Sequence, residues 1–386
     1  MQDMAWIFEG VEDPRTSNAT RHDLHEMLMI ALLCVIRGGR TCTDMALFGR
    51  SKEEFLRRFM KLEHGIPGHD AFSALFRIID PDSLGGVLTR LAEDWSRRLG
   101  SDVIAIDGKT LRRSFEDASE RVPLHVVSAF AAGARLTLGQ VKVKGRSNEI
   151  TALPALLDLL DIRGSTVTVD AMHTLRPTAE EIIAKDGDYA LALKGNQGAL
   201  RDDVRYHMAD PEYAEKMLCL KDAGRDHGRT GIREAVVRHD IDILRDRHNR
   251  PGLQAVGKVT AVRESGGRQS TDTRYFLLSG KPDPERFPGT VRSHRAVENS
   301  LHWVLDVTMG EDSLRNRKDN GPENPALMRK PALNPARVTP TAKKESMRGR
   351  LMKAGWDNDF LLKLISSASN PAKDAKPGKI QTRQPW

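Results

Sequence analysis

Two short β-branched runs, each stopped by an aspartate, constrain this chain more than anything else in it. Residues 103–106 (Val-Ile-Ala-Ile) run into Asp107-Gly108-Lys109, and Thr166–Val169 runs into Asp170. Runs of this length and composition read as buried strands. Sheets of α/β proteins bind ligands just beyond the C-terminal ends of their strands, so both aspartates stand where chemistry is usually placed. The signals around them alternate. Residues 122–132 and 136–143 read as paired strands turning about Gly133, 150–160 has helical spacing, and a helix over 178–185 leads to a strand over 189–193. That succession predicts a mixed α/β sheet.

The flanks differ from this centre. The first hundred residues carry helical spacing of apolar residues over 24–36, 43–48, 52–60, 71–79 and 82–98, with Asp70 as the expected cap of the fourth and Asp80-Pro81 closing it. Residues 235–243, 254–263 and 273–278 read as antiparallel strands of an insertion at about 198–290. From 291 the spacing is helical again, with Val297, Leu301, Val304 and Leu305 on one face. The expected organisation is an α-helical domain over 1–99, an α/β domain over 100–335 interrupted by the insertion, and a basic tail over 336–386. Within that tail only 358–365 looks amphipathic.

Charge is unevenly spread. The net charge is +7, yet residues 313–386 hold 16 basic and 6 acidic side chains, a net +10, which leaves −3 for everything before them. A cationic end of this kind suits contact with phosphate. Cys34, Cys42 and Cys219 are too scattered for a disulfide framework or a zinc knuckle, as in a reducing cytoplasm. Arg15, Arg21 and Asp23 interrupt the N-terminus where a secretory signal would lie. The apolar run 27–36 is far shorter than the roughly 20 residues that span a bilayer. A soluble cytoplasmic protein is expected.

Phosphodiester cleavage with two divalent ions needs a few carboxylates as hard oxygen ligands. Asp107, Asp170 and, on the later helix, Glu298 are of the right type, although spacing alone equally allows turn and capping aspartates. The segments that surround them are more telling. Ile104-Ala-Ile-Asp-Gly-Lys-Thr-Leu-Arg112, Ser147-Asn-Glu-Ile150, Val169-Asp-Ala-Met172, Ala192-Leu-Lys-Gly-Asn-Gln197 and Val297-Glu-Asn-Ser-Leu-His-Trp-Val-Leu-Asp306 resemble the ISAs1-family transposases, the H-repeat-associated group of the DDE superfamily. The likeness extends to Asp13-Pro-Arg15, Gly65-Ile-Pro-Gly-His-Asp70, His227-Gly-Arg229 and Lys353-Ala-Gly-Trp-Asp357, so it runs nearly end to end.

The resemblance implies an RNase H-like catalytic core and a dependence on Mg²⁺ or Mn²⁺, with two ions. It also implies cleavage and strand transfer at the inverted-repeat ends of an insertion sequence, by a homo-oligomer assembled on double-stranded DNA. Carried over by position, Asp107, Asp170 and Glu298 match the acidic triad, with Asp306 and Glu311 as alternatives to the last. Candidate DNA contacts are Lys109, Arg112, Lys194, Asn196, His227, Arg229, His302, Arg315 and Arg317. His173, Leu175 and Gly231 depart from the pattern, standing for a glycine, a glutamine and a glutamate, and the weightier departures come later. Arg295 replaces a tryptophan, and Pro325, Pro331 and Pro335 replace leucines. A proline inside a helix costs about 3 kcal/mol or more, so three in eleven residues predict a broken helix after Glu323. Two readings follow, an active transposase with a remodelled C-terminal region, or a decayed copy that only binds DNA.

Overall fold

The computed structural model describes residues 5–99, 102–111, 114, 123–143, 149–210, 218–226, 229–265, 268–281, 283–313, 316–341 and 345–369. Five helices come first: α1 (Leu24–Ile36), α2 (Cys42–Ser51), α3 (Glu53–Leu56), α4 (His69–Ile78) and α5 (Pro81–Leu99). Then follow β1 (Val103–Thr110), β2 (His125–Ala131), β3 (Leu136–Lys142), α6 (Ala152–Asp158), β4 (Thr166–Val169), α7 (Arg176–Ala184) and β5 (Asp188–Leu193). The next stretch holds α8 (Gly198–Ala209), β6 (Leu218–Asp226), β7 (Arg229–Arg238), α9 (Asp242–His248), β8 (Ala255–Ser265) and β9 (Arg268–Leu278). Last come α10 (Arg286–Val297), two π-helical turns (Glu298–His302 and Val304–Thr308), α11 (Glu323–Val338), α12 (Met347–Trp356) and α13 (Asn358–Ser369).

Among the described residues nine strands form one mixed sheet, in the order β3-β2-β1-β4-β5-β9-β8-β7-β6. β4 is parallel to both β1 and β5, and β2 and β3 are antiparallel. The order β3-β2-β1-β4-β5 fits an RNase H-like core. Beyond β5 the sheet continues through an antiparallel ladder of four long strands, which is the insertion. The sequence suggested three strands there. β6 escaped because Lys221, Asp222, Arg225 and Asp226 leave no apolar alternation to read.

The chain divides into two units. One comprises residues 1–101, 108–160 and 297–375, and the other comprises 102–107, 161–296 and 376–386. The first unit is built on α1, which is buried on nearly every side and is therefore apolar from Met27 to Ile36 rather than amphipathic. Asp23 caps it by accepting the Glu26 N–H at 2.9 Å, and Thr41 with Asp44 makes a capping box at α2. Two local expectations are corrected here. Gly68, not Asp70, is the N-cap residue of α4, and Asp70 lies in the first turn, where its charge suits the helix dipole. The helix expected over 52–60 shrinks to the four residues of α3.

The larger correction concerns the prolines. α11 is a continuous helix with Pro331 and Pro335 inside it, and every residue from Asn324 to Ala336 is buried. Pro325 is third in the helix, where an N–H would have no intrahelical partner, so it forfeits no bond. Pro331 and Pro335 each remove one backbone hydrogen bond. Tertiary contacts hold the helix instead, against α1, α5, β3 and α13. Asn334 both donates to Thr137 O (2.9 Å) and accepts from Thr137 N (3.0 Å), and Asn324 donates to Phe76 O at 2.9 Å. A broken helix was the ground for a decayed copy, and the fold does not supply it. The region after 336, expected to be a tail with one short amphipathic stretch, carries α12 and α13 before the described residues end.

The second unit has its own core, with Ala190, Val237, Val259, Phe276, Phe287 and Val291 packed together where β5, β7, β8 and β9 meet α10. No helix among the described residues is long and apolar enough to cross a membrane.

Candidate functional site

β1 and β4 run in parallel with Ile106 opposite Val169, so Asp107 and Asp170 each follow the last paired residue of neighbouring strands. β1 does not stop at Asp107 as expected but continues to Thr110, because only its pairing with β4 ends there. Both aspartates are half-buried. Asp170 begins a 3-10 turn (Ala171–His173) and accepts the Ala171 N–H at 2.7 Å. The exposed Lys194 ammonium donates to the same Oδ1 at 2.9 Å. Burial pushes the Asp170 carboxyl upward, but Lys194 and the Ala171 N–H outweigh it and hold it below the usual carboxylate range. Asn196 donates to Ala171 O at 2.9 Å and ties the loop after β5 to the turn after β4. His294 on α10 lies 3.2 Å from Thr168 Oγ1, and burial pushes its imidazole down to about 4. It stays neutral at physiological pH.

In the first unit, Glu298 opens the first π-helical turn and is exposed. His302 ends that turn, with burial pushing it down to about 4. Trp303 next to it is 57% exposed. Lys109 is placed differently from a phosphate contact, because its side chain is only 9% exposed. The ammonium donates to Glu311 Oε2 at 2.7 Å and to the Asp306 carboxylate. Burial alone would lower Lys109, but the two carboxylates prevail and hold it above the ordinary lysine value. Glu311 is buried as well, and its burial is overcome by Lys330, Lys109 and Arg329, which keep it ionised. Lys330 on α11 donates to Ser128 Oγ at 2.8 Å, and burial pushes it down to about 8 against the pull of Glu311. Arg329 donates to Arg40 O at 3.0 Å.

This buried charge cluster is the feature that sequence reasoning missed. Lys330 and Arg329 stand among prolines and look like surface residues, and no periodicity marks them as core. Glu311 and Asp306 were recognised only as alternatives for a metal ligand. Of the remaining candidate contacts, Arg317 is half-buried and lines an open groove of about 410 Å³ with Lys142 and Asn320. Arg229 opens β7. Arg112, His227 and Arg315 lie outside the described residues.

No group of three or more His, Cys, Asp and Glu side chains is gathered among the described residues. The donor chemistry nevertheless fits a divalent ion. Asp107 and Asp170 are hard oxygen donors at neighbouring strand ends, Asp170 is ionised, and a cation, the Lys194 ammonium, already sits on it.

The strand order and the helices that accompany it define an RNase H-like α/β protein. Comparison with known proteins gives the family. Residues 98–334 match the transposase DDE domain and residues 6–92 match the DDE_Tnp_1-associated domain, so the chain belongs to the DDE transposase family. Among its relatives is the "H repeat-associated putative transposase YhhI" of Escherichia coli K12, 33% identical over 93% of this chain and 96% of the relative. An "Uncharacterized protein in dhlA 3'region" of Xanthobacter autotrophicus is 39% identical over 72% of this chain and 95% of that protein. A solved structure, the piggyBac transposase synaptic complex with hairpin DNA, overlaps 97% of this chain and 78% of its own at 13% identity. Its TM-score of 0.42 is too low to carry weight.

Proposed function

We propose that this transposase cleaves and rejoins DNA at the inverted-repeat ends of its own insertion sequence, with Asp107, Asp170 and Glu298 as the acidic triad. The observation that carries this reading is the pairing of Ile106 with Val169, which sets two carboxylates at adjacent strand ends. Two Mg²⁺ or Mn²⁺ ions, when bound, supply Lewis acidity to the attacking and leaving oxygens of an in-line displacement. The residues of the chain do the rest. Asp170 is held ionised and is oriented by the Ala171 N–H, while Asn196 fixes the turn that carries it. His294 remains neutral and adds no positive charge beside Asp170. Lys194, Arg229 and Arg317, with Arg112, His227 and Arg315, contact phosphates of duplex DNA and set its register without reading its sequence. Copies of the chain pair on the two ends, in the cytoplasm where the chromosome lies.

The test uses purified full-length protein, Mn²⁺ and a duplex oligonucleotide that carries an inverted-repeat end of the insertion sequence. Asp107→Asn, Asp170→Asn and Glu298→Gln should each bring cleavage to background while DNA binding persists. Unsubstituted protein that binds this duplex normally and never cuts it would overturn the proposal.

A further inference from the structure

The family reading gives Lys109 no role beyond a possible phosphate contact, and its surroundings argue for a different one. The side chain lies on the same face of β1 as Asp107, because residues two apart on a strand share a face. Its ammonium is nearly buried and shared between Asp306 and Glu311. Asp306 lies in the second π-helical turn of the run that Glu298 opens, and Glu311 begins the 3-10 turn just after it. One cation therefore fastens the continuation of the Asp107 strand to both ends of a short segment, 306–311, that continues the Glu298 helix.

The surroundings leave Lys109 little alternative. Glu311 is closed off from solvent and faces Lys330 and Arg329 as well as Lys109. Lys330 in turn reaches Ser128 on β2. A nearly buried ammonium with two carboxylate partners cannot turn toward a phosphate without giving up both ion pairs, and buried charges are stable only when paired. Such an array holds its members in one arrangement because breaking it leaves buried charge unpaired, and catalytic groups tolerate little misplacement.

We infer that Lys109 is a positioning residue, which with Asp306 and Glu311 forms a buried clamp that fixes the segment continuing the Glu298 helix against the end of β1 and so holds that helix for cleavage. The inference rests on the role proposed above for Glu298 and adds the device that holds its helix.

Three variants of the full-length protein test it, on the same repeat-end duplex with Mn²⁺: Lys109→Met, Lys109→Arg and Asp306→Asn. Asp306 is partly exposed, so Asp306→Asn weakens the clamp without emptying the core. Single-turnover cleavage should fall roughly 10–100-fold in Lys109→Met and in Asp306→Asn, the scale of a small misplacement of catalytic groups. The Kd for the duplex and its salt dependence should stay unchanged, and Lys109→Arg should recover part of the rate. A phosphate-binding lysine behaves otherwise. Lys109→Met would then lower the salt slope by about one unit while Asp306→Asn cut normally, and that result overturns the inference. Wild-type cleavage by both variants alongside an inactive Asp107→Asn overturns the clamp and leaves the triad standing. Normal cleavage by Asp107→Asn overturns both.

Discussion

Replacing Glu311 by glutamine keeps the shape of a fully buried side chain and removes its charge, so the change isolates the electrostatics of the first unit's core. The Lys109 ammonium is 2.7 Å from Glu311 Oε2. At an effective dielectric constant of about 20, the attraction between unit charges at that distance is ~6 kcal/mol. The uncharged glutamine no longer pays to be dehydrated, and that relief offsets part of the loss, so breaking such a pair costs ~3–5 kcal/mol net. The lower end applies here. Lys109 keeps Asp306, and Lys330, already pushed down to about 8, can shed its proton near neutral pH. A loss of ~3 kcal/mol is a large part of the ~5–15 kcal/mol that stabilises a domain. Urea unfolding followed by tryptophan fluorescence reads it out, because Trp6, Trp95, Trp303 and Trp356 all fall in the first unit. With a slope near ~3 kcal/mol/M the midpoint should drop by about 1 M. The sign with pH is fixed as well. A lysine whose folded pKa is lowered binds more protons unfolded than folded, so stability rises with pH above the folded value, and loss of Glu311, which raises Lys330, moves that value further below about 8. The variant therefore starts to regain stability at lower pH than the parent, and the deficit of Glu311→Gln should shrink as pH rises toward 8. A midpoint shift below about 0.3 M, or a deficit that grows with pH, would refute the reasoning.

Two further outcomes follow from particular contacts. His294 and His302 are both pushed down to about 4, so between about pH 4 and 6.5 the unfolded chain binds protons that the fold refuses, and stability rises with pH across that window. His302→Gln should remove close to one proton's worth of that slope, ~1.4 kcal/mol per pH unit at most, in urea titrations at stepped pH; an unchanged slope would exclude a buried neutral imidazole. In the second unit, a Cβ added at Gly257 would come within 2.4 Å of Phe287 Cζ. Gly257→Ala should cost ~1–3 kcal/mol by overpacking the contact between β8 and α10, and a wild-type unfolding midpoint would show that the ring moves aside freely.

The sequence was most legible where local chemistry and the final fold agree. The run 24–36 is apolar and ends in glycines, and it is α1 residue for residue. The β-branched runs before Asp107 and Asp170 are neighbouring parallel strands, as their local composition predicts. Legibility failed where distant residues decide. Pro331 and Pro335 are helix breakers by every local rule, yet α11 is held by Asn334, Lys330 and an almost complete burial that no window of sequence contains. Lys109 failed in the same way. A lysine beside an aspartate suggests an exposed cation, and its carboxylate partners lie about two hundred residues further on.

The embedding of α11 also bears on how the chain is made. The helix touches α1 and α5 from the first hundred residues, β3 from the next segment, and α13 beyond it. Its packing partner α5 is synthesised roughly 240 residues before α11 is complete, and α1 earlier still, an interval of at least ~12–50 s at usual rates of synthesis. Throughout that interval the apolar sides of α1 and α5 that α11 will cover have no native cover. The helical module of this transposase thus emerges before α11 and is finished late, and a nascent chain stalled before residue 338 should present a chaperone-binding surface that the folded protein hides.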